Sequence, residues 1–410
     1  MSVFKILIAP GDNAGSGKYR CIDPHIKLQE NHSENFFVEI NHNIDFSNYD
    51  YLKGFDAIFL HRVPQNNYEQ AVVIITNLKK LGLKVIIDID DYWNLDPSHG
   101  SYEQIKKAGV PGILINCLKM ADMVTVPTSI LANEVKQFNK NVFVLPNALD
   151  PNEEQFKPRP TESDKVRIGW LGGSSHIKDL ELVQCLSSIG ENHKDKTQLV
   201  LCGFDTRGTA RELNRETGQV EERPLKPTES VWFIYELFFT NSLKLLQEDP
   251  EYIKFLLQFN EDKNFDDSNK PYRRVWTKSI NQYGRNYNLF DVSLAPLLDN
   301  KFNMYKSQLK IIEAGFQKKA VIASNYGPYT IDLISAINKG GGINPDGNCL
   351  LVDTNKNHKN WSKYAKMLID NPQMVKDLGE KLYNTVKDKY DINNVTKTRS
   401  EIYLNLLNKG

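Results

Sequence analysis

The sequence lacks several features that would decide the protein's class at once. Its 410 residues include five scattered cysteines and no Cys-x-x-Cys pair, so neither a disulfide framework nor a structural zinc site is indicated. No apolar run approaches the ~20 residues that a bilayer-spanning helix needs, and the first apolar run is too short for a secretory signal. The formal net charge is zero, which gives no overall attraction to nucleic acid or anionic membrane. We expect a cytoplasmic protein without a transmembrane segment, while peripheral membrane contact and oligomeric state stay open.

The chain is long enough for two domains, and its pattern divides it into two halves. Short apolar runs alternate with helical patterns over residues 1–150, and the same alternation restarts at 166 with RIGWLGG and continues to 393. Residues 151–165 are rich in Pro, Glu and Lys and read as a linker. Alternation of this kind predicts an α/β protein with two doubly wound, Rossmann-like domains, each a parallel sheet with helices on both faces.

The alternation of the second half breaks between about 206 and 288. This segment contains VWFIYELFF and EYIKFLLQF, whose aromatics recur at helical spacings. They predict an inserted helical subdomain with its own small aromatic core. A contact surface for an acceptor or for oligomerisation is the alternative, with Arg273, Arg274 and Trp276 as its markers.

The strongest functional signal lies in residues 283–329, YGRNYNLFDVSLAPLLDNKFNMYKSQLKIIEAGFQKKAVIASNYGPY. They read as strand, polar loop, helix, strand and Gly-Pro turn. Lys306, Lys310 and Glu313 recur at spacings of four and three, which places two cations and a carboxylate on one helix face. A helix that starts at the carboxyl end of a parallel strand, with cations on its first turns, suits a phosphorylated ligand. An exposed helix with a charged face is the alternative, and the polar loop NKFNMYKS favours the ligand.

A glycine turn opens the second half, in RIGWLGGSSHIKDLEL. Gly172 and Gly173 stand where a strand passes to a helix that Ser174 or its neighbour could cap, and free amides there suit a diphosphate. Lys178 could neutralise the charge on a leaving diphosphate. His176 fits a plain surface position and a binding role equally well.

Polar residues also end two strands of the first half, and a glycine loop follows its first strand. One strand runs into Asp90 and Asp91, the other into His61 and Arg62. We expect all four near the carboxyl edge of the sheet, although one aspartate suits a cap and His61 a structural role. The loop after the first strand, PGDNAGSGKYR, holds Gly15, Ser16 and Gly17, which let a backbone approach a ligand closely. Its spacing completes neither the dinucleotide nor the ATP fingerprint.

The ordered series of motifs resembles the GT-B glycosyltransferases, especially glycosyltransferase family 4. In that family two glutamates stand eight positions apart, and the second holds the ribose of the nucleotide. Glu313 matches the second, while Tyr305 stands in place of the first, which normally contacts the donor sugar. The pair Pro146-Asn147 and the turn SNYGPY also resemble the family's pattern, and the resemblance assigns them little chemistry.

The resemblance implies a nucleotide diphosphate sugar as substrate, no cofactor, no metal, and retention of anomeric configuration. The acids of the first half would face the donor sugar, the glycine loop would lie over the cleft, and the last helix, 394–407, would join the first domain. The triplet Asp88-Ile89-Asp90 also resembles the metal-binding D-x-D of GT-A enzymes, a minority reading. The residues expected to bind the donor are Gly172, Gly173, Ser174, His176, Asn303, Ser307, Lys310 and Glu313, and those expected in catalysis are Lys178, Lys306, Asp90 and Asp91.

These expectations predict a glycosyltransferase that acts on a glycan or a lipid-linked saccharide. One alternative is a phage-type DNA glycosyltransferase, for which Arg273 and Arg274 would form part of a basic groove. The other is a binding protein that keeps the scaffold and the nucleotide-sugar site without catalysis.

Overall fold

The computed structural model describes residues 3–159, 163–205, 207–213, 219–240, 249–258, 264–353 and 358–408. The strands are β1 (Phe4–Ala9), β2 (Phe36–Ile40), β3 (Ala57–His61), β4 (Lys84–Asp88), β5 (Met123–Val126), β6 (Val142–Val144), β7 (Val166–Leu171), β8 (Thr197–Phe204), β9 (Thr209–Leu213), β10 (Val220–Pro224), β11 (Tyr272–Trp276), β12 (Val292–Ala295), β13 (Ala320–Ser324) and β14 (Leu350–Val352).

The α-helices are α1 (Asp23–Asn31), α2 (Tyr49–Leu52), α3 (Tyr68–Lys80), α4 (Tyr102–Lys107), α5 (Val110–Met120), α6 (Ser129–Val135), α7 (Ile177–Leu180), α8 (Ser187–Asn192), α9 (Val231–Thr240), α10 (Pro250–Gln258), α11 (Lys301–Met304), α12 (Leu309–Phe316), α13 (His358–Asp370), α14 (Pro372–Val386) and α15 (Ile392–Leu407). A π-helical turn spans Gly17–Ile22, and 3-10 turns span Ser174–His176, Glu181–Leu186, Pro227–Glu229, Tyr283–Leu289 and Gly327–Ile331.

Two six-stranded sheets organise the described residues, and every strand pairing within them is parallel. The first has the order β2-β1-β3-β4-β5-β6 and the second β11-β8-β7-β12-β13-β14. All residues of β3 and β7 are buried, because helices cover both faces of each sheet. The chain reverses its direction of winding between β1 and β3 and between β7 and β12, and these switch points open a crevice at the carboxyl ends of the strands.

The helix α15 returns to the first domain, where it packs along α1. Tyr403 lies against Phe36 and stacks on His25, whose Nε2 lies 2.9 Å from the tyrosine hydroxyl. An Asp391 side chain that accepts from the Asn393 amide caps the start of the helix. The first domain therefore combines the N-terminal half of the chain with its last helix.

The insert predicted at about 206–288 in the second domain is shorter than expected, and it contains strands as well as helices. The strand β11 pairs with β8, so the sheet resumes at Tyr272 and not near 288. Before it come the helices α9 and α10, and also an exposed antiparallel hairpin of β9 and β10 that the helical pattern had not indicated. Residues 206, 214–218, 241–248 and 259–263 of this segment lie outside the described residues.

The prediction of a separate aromatic core for this segment is wrong. Trp232, Tyr235 and Tyr252 belong to the same hydrophobic cluster as Trp170 and Leu201 of the second sheet. The helical pattern correctly indicated an apolar face, but periodicity does not tell which surface that face covers.

The predicted linker is partly docked on the second domain. Phe156 is buried beside Tyr287 in a cluster of that domain, and the Gln155 side chain accepts a hydrogen bond from the Gly284 amide at 3.0 Å. A single aromatic in a polar stretch carries no periodic signal, so the sequence did not indicate this anchor. Residues 160–162 of the stretch lie outside the described residues. Within the described part of the chain, no helix is long and apolar enough to cross a bilayer.

Candidate functional site

A cavity of about 390 Å³ lies where the carboxyl ends of the two sheets face each other. The first domain lines it with Gly15, Ser16, Tyr19, Arg20, Asp90, Asp91 and Asn147; the second lines it with Gly173, His176, Ile280, Tyr283, Leu297, Lys306, Ser307, Leu309, Lys310, Glu313 and Tyr329. Both switch points thus contribute to one crevice, the position at which open α/β sheets bind ligands.

Glu313 forms the floor of this cavity and is 2% exposed. Its two carboxylate oxygens accept hydrogen bonds from the hydroxyls of Tyr287, at 3.0 Å, and of Tyr19, at 3.2 Å. Burial raises the pKa of Glu313 to about 7, against the opposing effects of Lys310 and the two tyrosines. A carboxyl group in a crevice whose pKa is shifted this far by burial is a typical feature of functional sites.

Lys310 lies one helical turn before Glu313 and reaches the glycine turn after β7. Its Nζ donates to the Leu171 carbonyl oxygen at 2.7 Å, and a Cβ on Gly172 would lie only 2.8 Å from that nitrogen. Burial lowers the pKa of Lys310 to about 8, although Glu313 opposes the shift. The buried Trp170 ring would lie closer still, 2.5 Å from that Cβ, so it is mainly the tryptophan that requires Gly172, while Gly173 lines the cavity itself.

The helix that carries these residues is shorter than the sequence indicated. It begins at Leu309, so Lys306 and Ser307 lie in a turn between α11 and α12. Asn300 caps α11 by accepting from the Asn303 amide, and this separate turn interrupts the helical spacing. Lys306 and Ser307 still line the cavity, together with Lys310 and Glu313.

Asp90 forms the first-domain wall of the cavity, as an acid at this strand end was expected to do. Its carboxylate accepts hydrogen bonds from Ser16 Oγ at 2.5 Å and from Arg62 Nη2 at 2.7 Å, and it lies 3.3 Å from His61 Nε2. Burial opposes ionisation, but Arg62, with His61 and Ser16, holds the pKa of Asp90 well below its usual range. Arg62 adopts a left-handed backbone with φ of 70°, a strained conformation that often marks functional sites. Asp91 lies 3.6 Å from the same guanidinium.

Asp88 is committed to a buried ion pair, which argues against the D-x-D interpretation. Both of its oxygens accept from the Arg20 guanidinium, at 2.6 and 3.0 Å, and Thr125 donates to it at 2.6 Å. Among the described residues, no three His, Cys, Asp or Glu side chains come together as a metal site would require.

Asn147 connects this ion pair to the second domain. Its Oδ1 accepts from Arg20 at 3.2 Å, and its Nδ2 donates to Ser307 Oγ at 3.0 Å. The sequence assigned the pair Pro146-Asn147 little chemistry; in the structure Asn147 lines the cavity and bridges the domains.

A second cavity of about 390 Å³ adjoins the first, and Lys306 and His176 line both. Lys178 and Ser174 line this second cavity and not the first, and the Lys178 Nζ pairs with Glu181 at 2.7 Å. The structure therefore does not bring Lys178 to Glu313. Asn303 lines the second cavity too.

A buried aspartate, Asp179, orders the wall between the cavities. It accepts from the Leu298 amide and from Asn303 Nδ2, at 2.7 and 3.0 Å, and lies 2.7 Å from His176 Nδ1. Burial and the nearby Lys310 lower the pKa of His176 to about 4. The predicted serine cap is absent, since neither the turn at Ser174–His176 nor α7 has a side-chain cap.

Tyr305, which stands where the family 4 pattern has its first glutamate, is not among the residues that line the first cavity. Its ring stacks on Tyr92 of the first domain, with centroids 4.8 Å apart, beside Phe302, which is buried in a first-domain cluster. The position where the family contacts the sugar here contacts the other domain.

Arg273 and Arg274, the residues suggested for a DNA-binding groove, are both paired with acids of the same domain. Arg274 is buried and binds Glu236 through two hydrogen bonds of 2.6 and 2.7 Å, and Arg273 pairs with Asp267. Trp276 packs edge-on against Phe204. The cluster stabilises the edge strand β11 against α9.

Sequence reasoning missed several residues of the first cavity, namely Tyr19, Arg20, Asn147, Ile280 and Tyr283, and also Tyr287, which binds Glu313 without lining the cavity. Tyr19 and Arg20 are the last two residues of the predicted cleft loop, PGDNAGSGKYR, and Tyr283 and Tyr287 stand four residues apart before β12. The polar run around them was the available signal, but it did not show which side chains turn inward. In the cleft loop itself, Gly15 and Ser16 line the cavity, while Gly17 lies under Asp12, whose Oδ1 accepts from its amide.

A scan against protein families finds no match, and a search of curated proteins finds none similar in sequence. Several solved structures resemble this structure over almost the whole length of the chain. HepE of Anabaena, in complex with UDP and glucose, matches with a TM-score of 0.61 at 10% identity, over 98% of this chain and 99% of that one.

Sucrose-phosphate synthase of Thermosynechococcus elongatus matches with a TM-score of 0.60 at 12% identity, over 100% of both chains. A glycosyltransferase of Rickettsia africae also reaches 0.60, at 14% identity and 100% of both chains. The chain has the GT-B fold. At these identities the likeness shows the fold alone, and the GT-B fold predicted from the motif order is confirmed.

Proposed function

We propose that this GT-B protein is a glycosyltransferase that moves a sugar from a nucleotide diphosphate sugar to an acceptor hydroxyl. The observation that carries the proposal is the buried Glu313, with Lys310 beside it and Lys306 at the mouth, at the switch point of the second sheet. Fold alone does not imply function. The proposal therefore depends on the arrangement of two cations and one carboxylate whose burial disfavours its ionised form.

In the proposed binding mode, the ribose hydroxyls donate to the Glu313 carboxylate. The Tyr19 hydroxyl, which now occupies one of its oxygens, gives way to the ribose or shares that oxygen with it. Lys306 and Lys310 face the diphosphate, and Asp90 and Asp91 face the donor sugar from the first domain. Lys178 reaches the diphosphate only after leaving Glu181, so its assignment to catalysis is the weakest of the four.

The acceptor, the stereochemistry and the compartment are proposed from the family resemblance. We propose a glycan or lipid-linked saccharide as acceptor and retention of the anomeric configuration, as in family 4. The five free thiols fit a reducing, cytoplasmic setting. The buried positions of Arg274 and Glu236 count against a DNA acceptor.

A panel of nucleotides and nucleotide sugars should contain at least one compound that raises the melting temperature of the protein. UDP and UDP-glucose are the first to test, because HepE was solved with each of them. At 100 times the Kd the ligand stabilises by ~2.7 kcal/mol, a shift that thermal melting resolves. If no member of the panel shifts the melting temperature, the proposal fails; binding without sugar transfer or donor hydrolysis would identify a non-catalytic binding protein.

Removing divalent metal should leave activity unchanged. The two aspartates of the D-x-D triplet are already paired, Asp88 with Arg20 and Asp90 with Arg62. We therefore expect the lysines to neutralise the charge on the leaving diphosphate. Donor turnover measured with and without a chelator checks this. Loss of activity in chelator that returns with Mg²⁺ or Mn²⁺ would overturn metal independence.

A further inference from the structure

A smaller cavity lies at the carboxyl edge of the first sheet, apart from the two already described. Its volume is about 280 Å³. Its walls come from the segments after β1, β2 and β3, which surround the switch point between β1 and β3. By topology alone, this is the place at which the first domain is expected to hold a ligand of its own.

His61 connects this cavity with the donor side. It lines the small cavity, while its Nε2 lies 3.3 Å from Asp90, which lines the large one. An ionised carboxylate only accepts, so in the neutral imidazole that binds Asp90 it is Nε2 that carries the proton. Nδ1 is then a lone-pair acceptor, and it is buried without a hydrogen-bond partner.

Such a buried acceptor is costly unless a donor reaches it. Nδ1 lies against Gly11, which lines the same cavity. A Cβ on Gly11 would lie 2.7 Å from Nδ1, so any larger residue at this position would crowd the nitrogen. A ligand hydroxyl is the chemical group that would complete this site.

The other lining residues indicate the class of ligand. Asn41, Asn43, His42 and Gln65 provide amide and imidazole groups, and Phe46 provides an apolar surface. The lining of this cavity, within residues 9–65, includes no aspartate, glutamate, lysine or arginine. A phosphate or carboxylate would find no lysine or arginine here. Amide groups with one aromatic surface suit the hydroxyls and C–H faces of a neutral sugar ring.

We propose that this cavity binds a neutral sugar unit of the acceptor, with one hydroxyl donating to His61 Nδ1. The inference rests on the proposed function, since it treats the ligand as the acceptor of that transfer. It goes further by assigning the acceptor-side recognition to an uncharged, hydroxyl-rich ring and not to a lipid phosphate or a nucleic-acid backbone. His61 is a binding residue in this proposal, and Asp90 positions its ring.

The test uses saturation-transfer NMR on the full chain with methyl glycosides of glucose, galactose, mannose and N-acetylglucosamine, and with glycerol 1-phosphate as anionic probe. At least one neutral glycoside should bind, and the phosphate probe should not compete with it. Gly11→Ala, which crowds Nδ1, and Asn43→Ala, which removes an exposed amide, should each weaken binding about tenfold, the loss of one good hydrogen bond. Gly112→Ala is the matched control, because a Cβ there meets nothing within 4 Å.

The melting shift caused by UDP is recorded for each protein, which separates this inference from the proposed function. Glycoside binding that is lost in Gly11→Ala while the UDP response persists supports the cavity assignment. The assignment is overturned if no glycoside binds or if glycerol 1-phosphate displaces the glycoside. It is also overturned if Gly11→Ala and Asn43→Ala bind the glycoside as tightly as the unmodified protein does. Specific glycoside binding without any UDP response would support the cavity and count against the transferase.

Discussion

Replacing Glu313 with glutamine is expected to weaken nucleotide binding about 10- to 100-fold, because a hydrogen bond to a charged group contributes ~1.5–3 kcal/mol. The same change should make the unliganded protein more stable. Glutamine is close to glutamate in size and can still bond to the hydroxyls of Tyr19 and Tyr287. What it removes is the charge that this buried position disfavours.

The direction of the expected stability change follows from the pKa shift of Glu313. The ordinary value of 4.5 is raised to about 7 in the folded protein, so above pH 7 the carboxylate is ionised in both states and the folded state is destabilised. At ~1.36 kcal/mol per pKa unit the penalty is on the order of 3 kcal/mol. The stabilisation by glutamine should therefore be full above about pH 7, decline between about 7 and 4.5, and vanish below that range.

Thermal melting across this pH range, with and without UDP, measures both effects. Glu380→Gln is the matched control, since that glutamate is exposed and pairs with Lys318 at the surface. Unchanged UDP affinity in Glu313→Gln would remove the ribose role. A loss of stability at pH 8 would show that the carboxylate stabilises the apo protein, contrary to the penalty argued here.

Replacing Lys306 with alanine should lower the rate of sugar transfer by about 10²- to 10³-fold, the usual effect of losing one group that stabilises developing charge. Lys306 lines both large cavities, so its ammonium can follow a diphosphate along the cleft. Negative charge on the diphosphate grows as the bond to the sugar breaks, so kcat should fall more than KM for the donor rises. The side chain is partly exposed, and the fold should not depend on it.

Steady-state kinetics on Lys306→Ala and Lys306→Arg separate charge from geometry, and arginine should recover part of the rate. Lys366→Ala is the control for removing a lysine, because its partner Asp370 lies on the surface of α13. If Lys306→Ala raised KM with kcat unchanged, the lysine would contribute only to binding. If Lys178→Ala had the larger effect, the assignment would pass to Lys178, with its release from Glu181 as a required step.

The sequence by itself determined the two α/β halves and the segment that holds Glu313, because strand and helix periodicities are local patterns that can be read from neighbouring residues. It also indicated the strand-end acid Asp90, since the carboxyl ends of parallel strands meet at one edge. The shorter helix α12 and the docked Phe156 were not visible, because a cap and a single apolar side chain leave no periodic trace.

Only the tertiary structure decided which charged groups face the cavity. Asp88 and Asp90 stand two residues apart, yet one is buried with Arg20 and the other lines the cleft. Arg274 turns inward to Glu236, and Asn147 bridges to Ser307. A buried polar or charged group must find its partner wherever the fold provides one. The partners are 38 and 68 residues apart in the two ion pairs and 160 residues apart for Asn147 and Ser307, beyond the reach of any local pattern.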